Sequence, residues 1–161
     1  RIEFNDIDSV NMRVWPQDLD LNFHLNNGVF LSLMDIGRTR YVIRSGFAKA
    51  ALKYGWGLGV VGGVNITYLR SLALFQEFTL RTKLAGHCNG WYYIEQRYES
   101  RDKLVAAALI KVTFLRKGKR IPAEEVIEKM GVDSIGENSD YLEELFQSEQ
   151  KFLSKVKEDY I

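Results

Sequence analysis

The spacing of hydrophobic and polar positions changes period along the 161 residues. Val10–Trp15 predicts a short first strand, stopped by Pro16, which has no N–H to give a ladder. Gln17–Asn27 is polar and crowded with Asp and Asn, the composition of a loop. Gly28–Gly46 predicts a helix. Its apolar positions Val29, Phe30, Leu33, Met34, Ile36, Gly37, Tyr41 and Val42 cover most of the circumference, so other structure is expected to wrap it on several sides. Asn26 or Asn27 suits its N-cap and Gly46 its stop. From Val60 the period is two. Val60–Leu69 sets Val64, Ile66 and Tyr68 on one face, and Phe78–Leu84 alternates cleanly. Gly86–Gly90 reads as a turn. Trp91–Glu99 puts Tyr92, Ile94 and Tyr98 on one side, Ser100–Lys103 turns, and Leu104–Leu115 is a long, mostly apolar strand. Short polar turns between the last three strands favour antiparallel hairpins.

The tail is helical in pattern. Pro122 suits the first turn of a helix, with Glu124 and Glu125 near its positive end and Gly131 just past its end. Asp140 with Glu143 predicts a capping arrangement, and Leu142, Leu145, Phe146, Phe152, Leu153 and Val156 form one apolar face expected to pack on the body. The expected class is α+β: an antiparallel sheet of about five strands wrapped round a long central helix, with a helical C-terminal tail. Residues 1–120 are read as one domain and residues 121–161 as an extension packed on it.

Composition narrows the function. Twenty-two Lys and Arg face 21 Asp and Glu, a net charge of +1, which argues against a dedicated nucleic-acid binder or a polybasic membrane anchor. One cysteine, Cys88, cannot form an internal disulfide, and no Cys/His cluster has zinc spacing. The longest apolar runs, Leu58–Val64 and Leu104–Ile110, are too short to span a bilayer. These features imply a reducing, cytoplasmic setting, and a start at Arg1 suggests a trimmed chain.

The chemistry concentrates in Asp18–Asn27. Two carboxylates, one imidazole and three amides lie between a strand and the start of a buried helix. Turns and caps favour such residues, but the stretch also holds one of only two histidines. A helix N-terminus offers free N–H groups to developing negative charge, and a carboxylate beside one is what acyl hydrolysis requires. Elsewhere the signals are weak. His87 lies in the expected turn, Cys88 has no basic neighbour except His87, and Ser32 and Ser45 lack a G-x-S-x-G setting. Gly62-Gly63 inside a strand fits a bulge or the close approach of a pantetheine arm.

Arg13-Val14-Trp15, Asp20-Leu21-Asn22-Phe23-His24-Leu25-Asn26-Asn27, Phe30 and Arg38 together resemble the hot-dog thioesterases of the 4-hydroxybenzoyl-CoA thioesterase class, in the thioesterase-superfamily-member-like branch. Their pattern is D-x-x-G-H-x-N-N-x-x-Y at the central helix. Ile66-Thr67-Tyr68-Leu69-Arg70 and Phe114-Leu115-Arg116 resemble the family as well, so the likeness covers about residues 8–120. It implies a hot-dog fold and hydrolysis of acyl-CoA or acyl-carrier thioesters, with no metal or redox cofactor. It carries the family's acid, nucleophile or general base, onto Asp20, with His24 as the motif histidine. Asn26, Asn27, Gly28 and Tyr68 fall where substrate is held. It also implies a homodimer or a dimer of dimers. Asp18 remains a weaker candidate acid. The chain departs from the pattern at Phe23, where Gly is usual, and at Phe30, where Tyr is common. Phe23 predicts an altered loop or a narrowed pocket, because bulky residues avoid positive φ. These departures motivate a second reading, a non-catalytic thioester-binding protein. A hot-dog dehydratase matches His24 and its two following asparagines less well.

Overall fold

The computed structural model describes residues 1–57, 59–136 and 140–158; Leu58, which opens one of the apolar runs, lies outside them. Strand β1 spans Asp8–Arg13, two residues earlier than the pattern predicts at each end. Pro16 opens a 3-10 turn, Pro16–Asp18. Helix α1 covers Asn27–Arg44 and α2 covers Phe47–Tyr54. Strands β2 (Val60–Tyr68), β3 (Glu77–Cys88), β4 (Trp91–Ser100) and β5 (Lys103–Thr113) follow. A small hairpin, β6 (Leu115–Arg116) and β7 (Lys119–Arg120), precedes α3 (Ala123–Met130) and α4 (Asp140–Glu158). The five long strands form one antiparallel sheet in the order β1-β3-β4-β5-β2.

Two strand boundaries correct the sequence pattern. The Gly86–Gly90 segment is not a turn: β3 runs on to Cys88 because a register shift between Leu84 and Gly86 absorbs the irregularity. The turn is Asn89-Gly90, both at positive φ. His87 therefore lies in a strand and is half-buried. At the other end, Leu104–Leu115 divides into β5 and the first strand of the small hairpin. The bulge expected at the glycine pair is present, between Val61 and Gly63, and a Cβ on Gly62 would collide with the Trp91 ring.

Helix α1 buries Phe30, Met34, Gly37 and Tyr41, one stripe at helical spacing, against the sheet. Gly37 permits the approach, since a Cβ there would lie 2.7 Å from Leu80 Cδ2 and 2.9 Å from Gln96 Nε2. Gln96, fully buried, donates from Nε2 to the Met34 carbonyl and to Thr82 Oγ1, both at 2.9 Å, and accepts from Arg38 at 2.9 Å. Asp8, also buried, sits between Arg40 at 2.8 Å and Arg44 at 3.0 Å and ties β1 to the helix. Within one chain the wrapping is narrower than the sequence implies: Ile36 and Ile43 on the far side are 55% and 63% exposed. The helix stops at Gly46 as expected, but the chain turns there, at φ 84°, into α2, which the pattern did not predict. Phe47 and Ala51 bury α2 against Trp56 and the core.

In the tail, α3 has Glu124 and Glu125 in the first turn and a left-handed Gly131 closing it, as read from sequence, while Pro122 is the N-cap just before that turn. The stripe of α4 packs only at its start. Leu142 is buried against Ala85 and Tyr93 on the sheet face opposite α1, with Leu145 beside it. Phe152 and Leu153 are exposed. Among the described residues the Glu143 side chain makes no bond to the Asp140 N–H. Its carboxylate accepts from Cys88 Sγ and Asn89 Nδ2 in the β3–β4 turn, at 2.7 and 3.2 Å. No helix among the described residues is long and apolar enough to cross a membrane.

Candidate active site

The loop between the 3-10 turn and α1 is built from its own backbone. The Asp20 N–H donates to the His24 carbonyl at 2.9 Å, and Phe23 N–H donates back to the Asp20 carbonyl at 3.0 Å. Leu19 bridges Leu25, so the descending and ascending arms pair. Leu25 is buried and bonds Leu72, and His24 bridges Ala73, which docks the loop on the β2–β3 connection. Asp18 is spent on this scaffold. Its carboxylate accepts from the Trp15 N–H and its carbonyl from the Asn26 N–H, each at 2.8 Å. That is the loop-holding role.

Asp20 is half-buried at the tip. Its Oδ1 accepts from the backbone N–H of Asn22 at 2.8 Å and of His24 at 3.3 Å. Its Oδ2 has no hydrogen-bond partner among the described residues. The loop thus fixes the carboxylate through one oxygen and leaves the other unpaired among the described residues. The side chain of His24 is exposed; its backbone, not its ring, closes the turn. Phe23 adopts φ 59°, so the loop retains the left-handed turn that glycine usually supplies, and the ring projects into solvent instead of narrowing the site.

Asn26 caps α1: its Oδ1 accepts from the Gly28 N–H at 2.7 Å. The Val29 and Phe30 N–H groups both reach the Asn26 carbonyl. Of the first helical N–H groups only that of Asn27 is left without an acceptor among the described residues. Sequence alone indicates a cluster of free amides; the cap and the tight first turn reduce it to one. Tyr68, on the edge strand β2, donates its hydroxyl to the Asn27 carbonyl at 3.0 Å, and burial holds its pKa above the ordinary tyrosine value. Phe30 lies beneath, edge-on to Tyr68 at 5.2 Å and to Tyr98 at 4.7 Å. Tyr98 donates to the Phe30 carbonyl at 2.7 Å. Asn26, Asn27, Gly28 and Tyr68 are therefore gathered at the N-terminal end of α1, where the helix dipole is positive, and Asp20 stands in the loop that leads into it.

Gln96 is a supporting residue that the sequence reading missed. It stands in the core-facing series Tyr92, Ile94, Gln96, Tyr98, where a polar residue among apolar ones marks a buried hydrogen-bonding job. Cys88 is poorly suited to act as a nucleophile. Burial and the Glu143 carboxylate push its thiol up to about 11. No group of three or more His, Cys, Asp or Glu among the described residues could hold a metal ion.

Known proteins resemble the chain in sequence and in fold. The sequence profile of the thioesterase-like superfamily matches residues 14–145. Protein THEM6 of Xenopus laevis is 38% identical over 98 residues, 60% of this chain and 47% of that protein; protein THEM6 of Danio rerio is 35% identical over 102 residues, 63% and 50%. The chain spans about half the length of these curated relatives. Among solved structures, YbaW, a probable thioesterase from Escherichia coli, superposes with a TM-score of 0.70 at 24% identity, covering 76% of this chain and 95% of that one. A Thermus thermophilus thioesterase solved with coenzyme A and zinc superposes with a TM-score of 0.63 at 29% identity, covering 76% and 89%. The fold is the hot-dog fold of these structures, and the chain belongs to the thioesterase-like superfamily.

Proposed function

We propose that the chain hydrolyses acyl-CoA or acyl-carrier thioesters, with Asp20 as nucleophile or general base. The observation that carries this reading is a carboxylate held by two amides on one oxygen, in the loop that leads into the 18-residue α1, whose first N–H, that of Asn27, has no acceptor among the described residues. The thioester carbonyl accepts from the Asn27 N–H, which together with the dipole stabilises the oxyanion that forms on attack. The free oxygen of Asp20 takes the proton of an attacking water, or itself attacks the carbonyl carbon. The thiolate leaves, and the free acid and thiol are the products. Tyr68 fixes the Asn27 peptide. His24, exposed at the rim, and the remaining amide groups of Asn26 and Asn27 contact substrate. No cofactor takes part, since water is the second substrate.

The reading extends to a homodimer. β2 is an edge strand whose Val60, Val61 and Val64 are 42–47% exposed, and an apolar edge of that length invites pairing with a second copy. Such pairing supplies the second wall of the cleft that a pantetheine arm needs.

Incubation with short, long and aromatic acyl-CoAs and a thiol reagent tests the activity. Thiol release by the wild type is expected, and Asp20→Asn is expected to lower it by about 10²–10⁴-fold with an unchanged melting curve. Binding without release by the wild type on any of these thioesters makes the protein the non-catalytic binder instead.

A further inference from the structure

Three side chains of the sheet donate to the backbone of α1. Tyr68 of β2 donates to the Asn27 carbonyl at 3.0 Å, Tyr98 of β4 to the Phe30 carbonyl at 2.7 Å, and Gln96 of β4 to the Met34 carbonyl at 2.9 Å. The acceptors are three and four residues apart, so they form one row down the sheet-facing side of the first two turns. A carbonyl inside an α-helix already accepts the N–H four residues on, so the helix does not need these bonds to be satisfied. They are second bonds to oxygens already in use. Tyr98 and Gln96 are fully buried, while Tyr68 stands on the edge strand. Burial holds both tyrosine hydroxyls above their ordinary pKa, so they stay donors at neutral pH.

Two features make the grip stiff. Strands β4 and β2 lie on either side of β5, so the helix is held at points roughly 10 Å apart across the sheet. Phe30, where the family commonly has tyrosine, fills the space between the two gripping rings, edge-on to both, and has no hydroxyl of its own to compete for the carbonyls. The far half of α1 is tied differently, by Arg40 and Arg44 to Asp8 of β1. The half that bears the Asn27 N–H is the half this row holds. An oxyanion donor must stand about 2.7–3.1 Å from the oxygen it stabilises, and a misplacement of about 1 Å can cost about 10²-fold in rate.

We infer that Tyr68 and Tyr98 are positioning residues. They set the height and rotation of the first turn of α1 on the sheet, and so the place of the Asn27 N–H, with Gln96 extending the grip to the second turn. The inference rests on the proposed role of that N–H in thioester hydrolysis. A buried hydroxyl that only needed a partner would make the same bond with no bearing on the reaction, and removing the bond separates the two cases.

Tyr98→Phe and Tyr68→Phe, each in the full chain, keep the ring and remove one bond. Amide hydrogen exchange without substrate is read at both halves of α1. Protection of Val29 and Phe30, whose N–H groups reach the Asn26 carbonyl in the first turn, is expected to fall at least about tenfold, while that of Tyr41 and Val42 changes by less than about twofold. On the acyl-CoA that the wild type turns over fastest, kcat is expected to fall at least about tenfold with KM within about twofold, since the donor acts on the transition state more than on the bound substrate. Equal loss of protection along the whole helix would show ordinary stabilisation and overturn the inference. So would first-turn protection that does not move, or a kcat that stays at the wild-type value in both variants. A wild type that releases no thiol from any thioester overturns the proposed reaction instead, and the exchange pattern then decides alone whether the two tyrosines hold the first turn.

Discussion

The two oxygens of Asp20 are held differently. Oδ1 takes two backbone N–H groups, which fixes the carboxylate plane, and Oδ2 stays unpaired. Asparagine at this position keeps the hydrogen bonds to Oδ1 and loses the basic oxygen, so the Asp20→Asn experiment isolates chemistry from folding. Phe23 is the opposite case, a residue whose backbone state its side chain opposes. A non-glycine residue in the left-handed region costs about 1 kcal/mol or more, and glycine gives part of that back through a freer unfolded chain. Phe23→Gly is therefore expected to raise stability by about 0.5 kcal/mol in urea denaturation, with the loop hydrogen bonds preserved. A loss of more than about 1 kcal/mol would mean that the exposed ring contributes packing the geometry does not show.

Among the elements, α4 rests on polar contacts more than on its apolar stripe. Lys111 of β5 is 5% exposed and pairs with Glu149 of α4, with its ammonium over the Trp91 ring at 5.0 Å. Removing one partner of a buried pair leaves the other charge uncompensated. Glu149→Gln should cost about 3 kcal/mol in denaturant unfolding, whereas Lys111→Met combined with Glu149→Leu should be close to neutral. Equal losses from the two would show that packing, and not charge, holds the helix. This arrangement could not be read from the periodicity of Leu142 to Val156, because a stripe reports which face is apolar and not how much of it finds a partner. The same limit applies to α1, where Ile36 looks as buried as Met34 in sequence but faces away from the sheet. The strands were more legible: alternation over Phe78–Leu84 and Trp91–Glu99 locates β3 and β4, since one face of each must meet the core. Helix α2 was not legible, being eight residues placed directly after a stop signal. At the site, the motif located Asp20 and the helix start, while the count of free amides depended on cap geometry that no spacing encodes.

For the whole molecule, one chain leaves both β2 and the outer side of α1 incompletely covered. A monomer of 18.6 kDa with an apolar edge is a poor end state for the fold. Sedimentation at micromolar concentration is expected to give a dimer. Val64→Lys, a charge placed on that edge, should return it to a monomer and lower thioester turnover if both copies build each site. A wild-type monomer with full activity would confine the site to one chain.

The strand order also sets a sequence of events in time. β3, β4 and β5 are joined by tight turns and can zip as successive hairpins, while β1 must find β3 across about seventy residues and β2 must find β5 across about forty. Closing such loops costs entropy before any contact repays it, so the central meander is expected to form first and the two outer strands last. Pulse-labelling hydrogen exchange during refolding should protect Tyr93 and Ile94 before Val10 and Ile66. Until β1 arrives, Asp8 cannot reach Arg40 and Arg44, and the helix that carries the Asn27 amide has no anchor on that side. The site is thus assembled late, by the strands that are slowest to arrive.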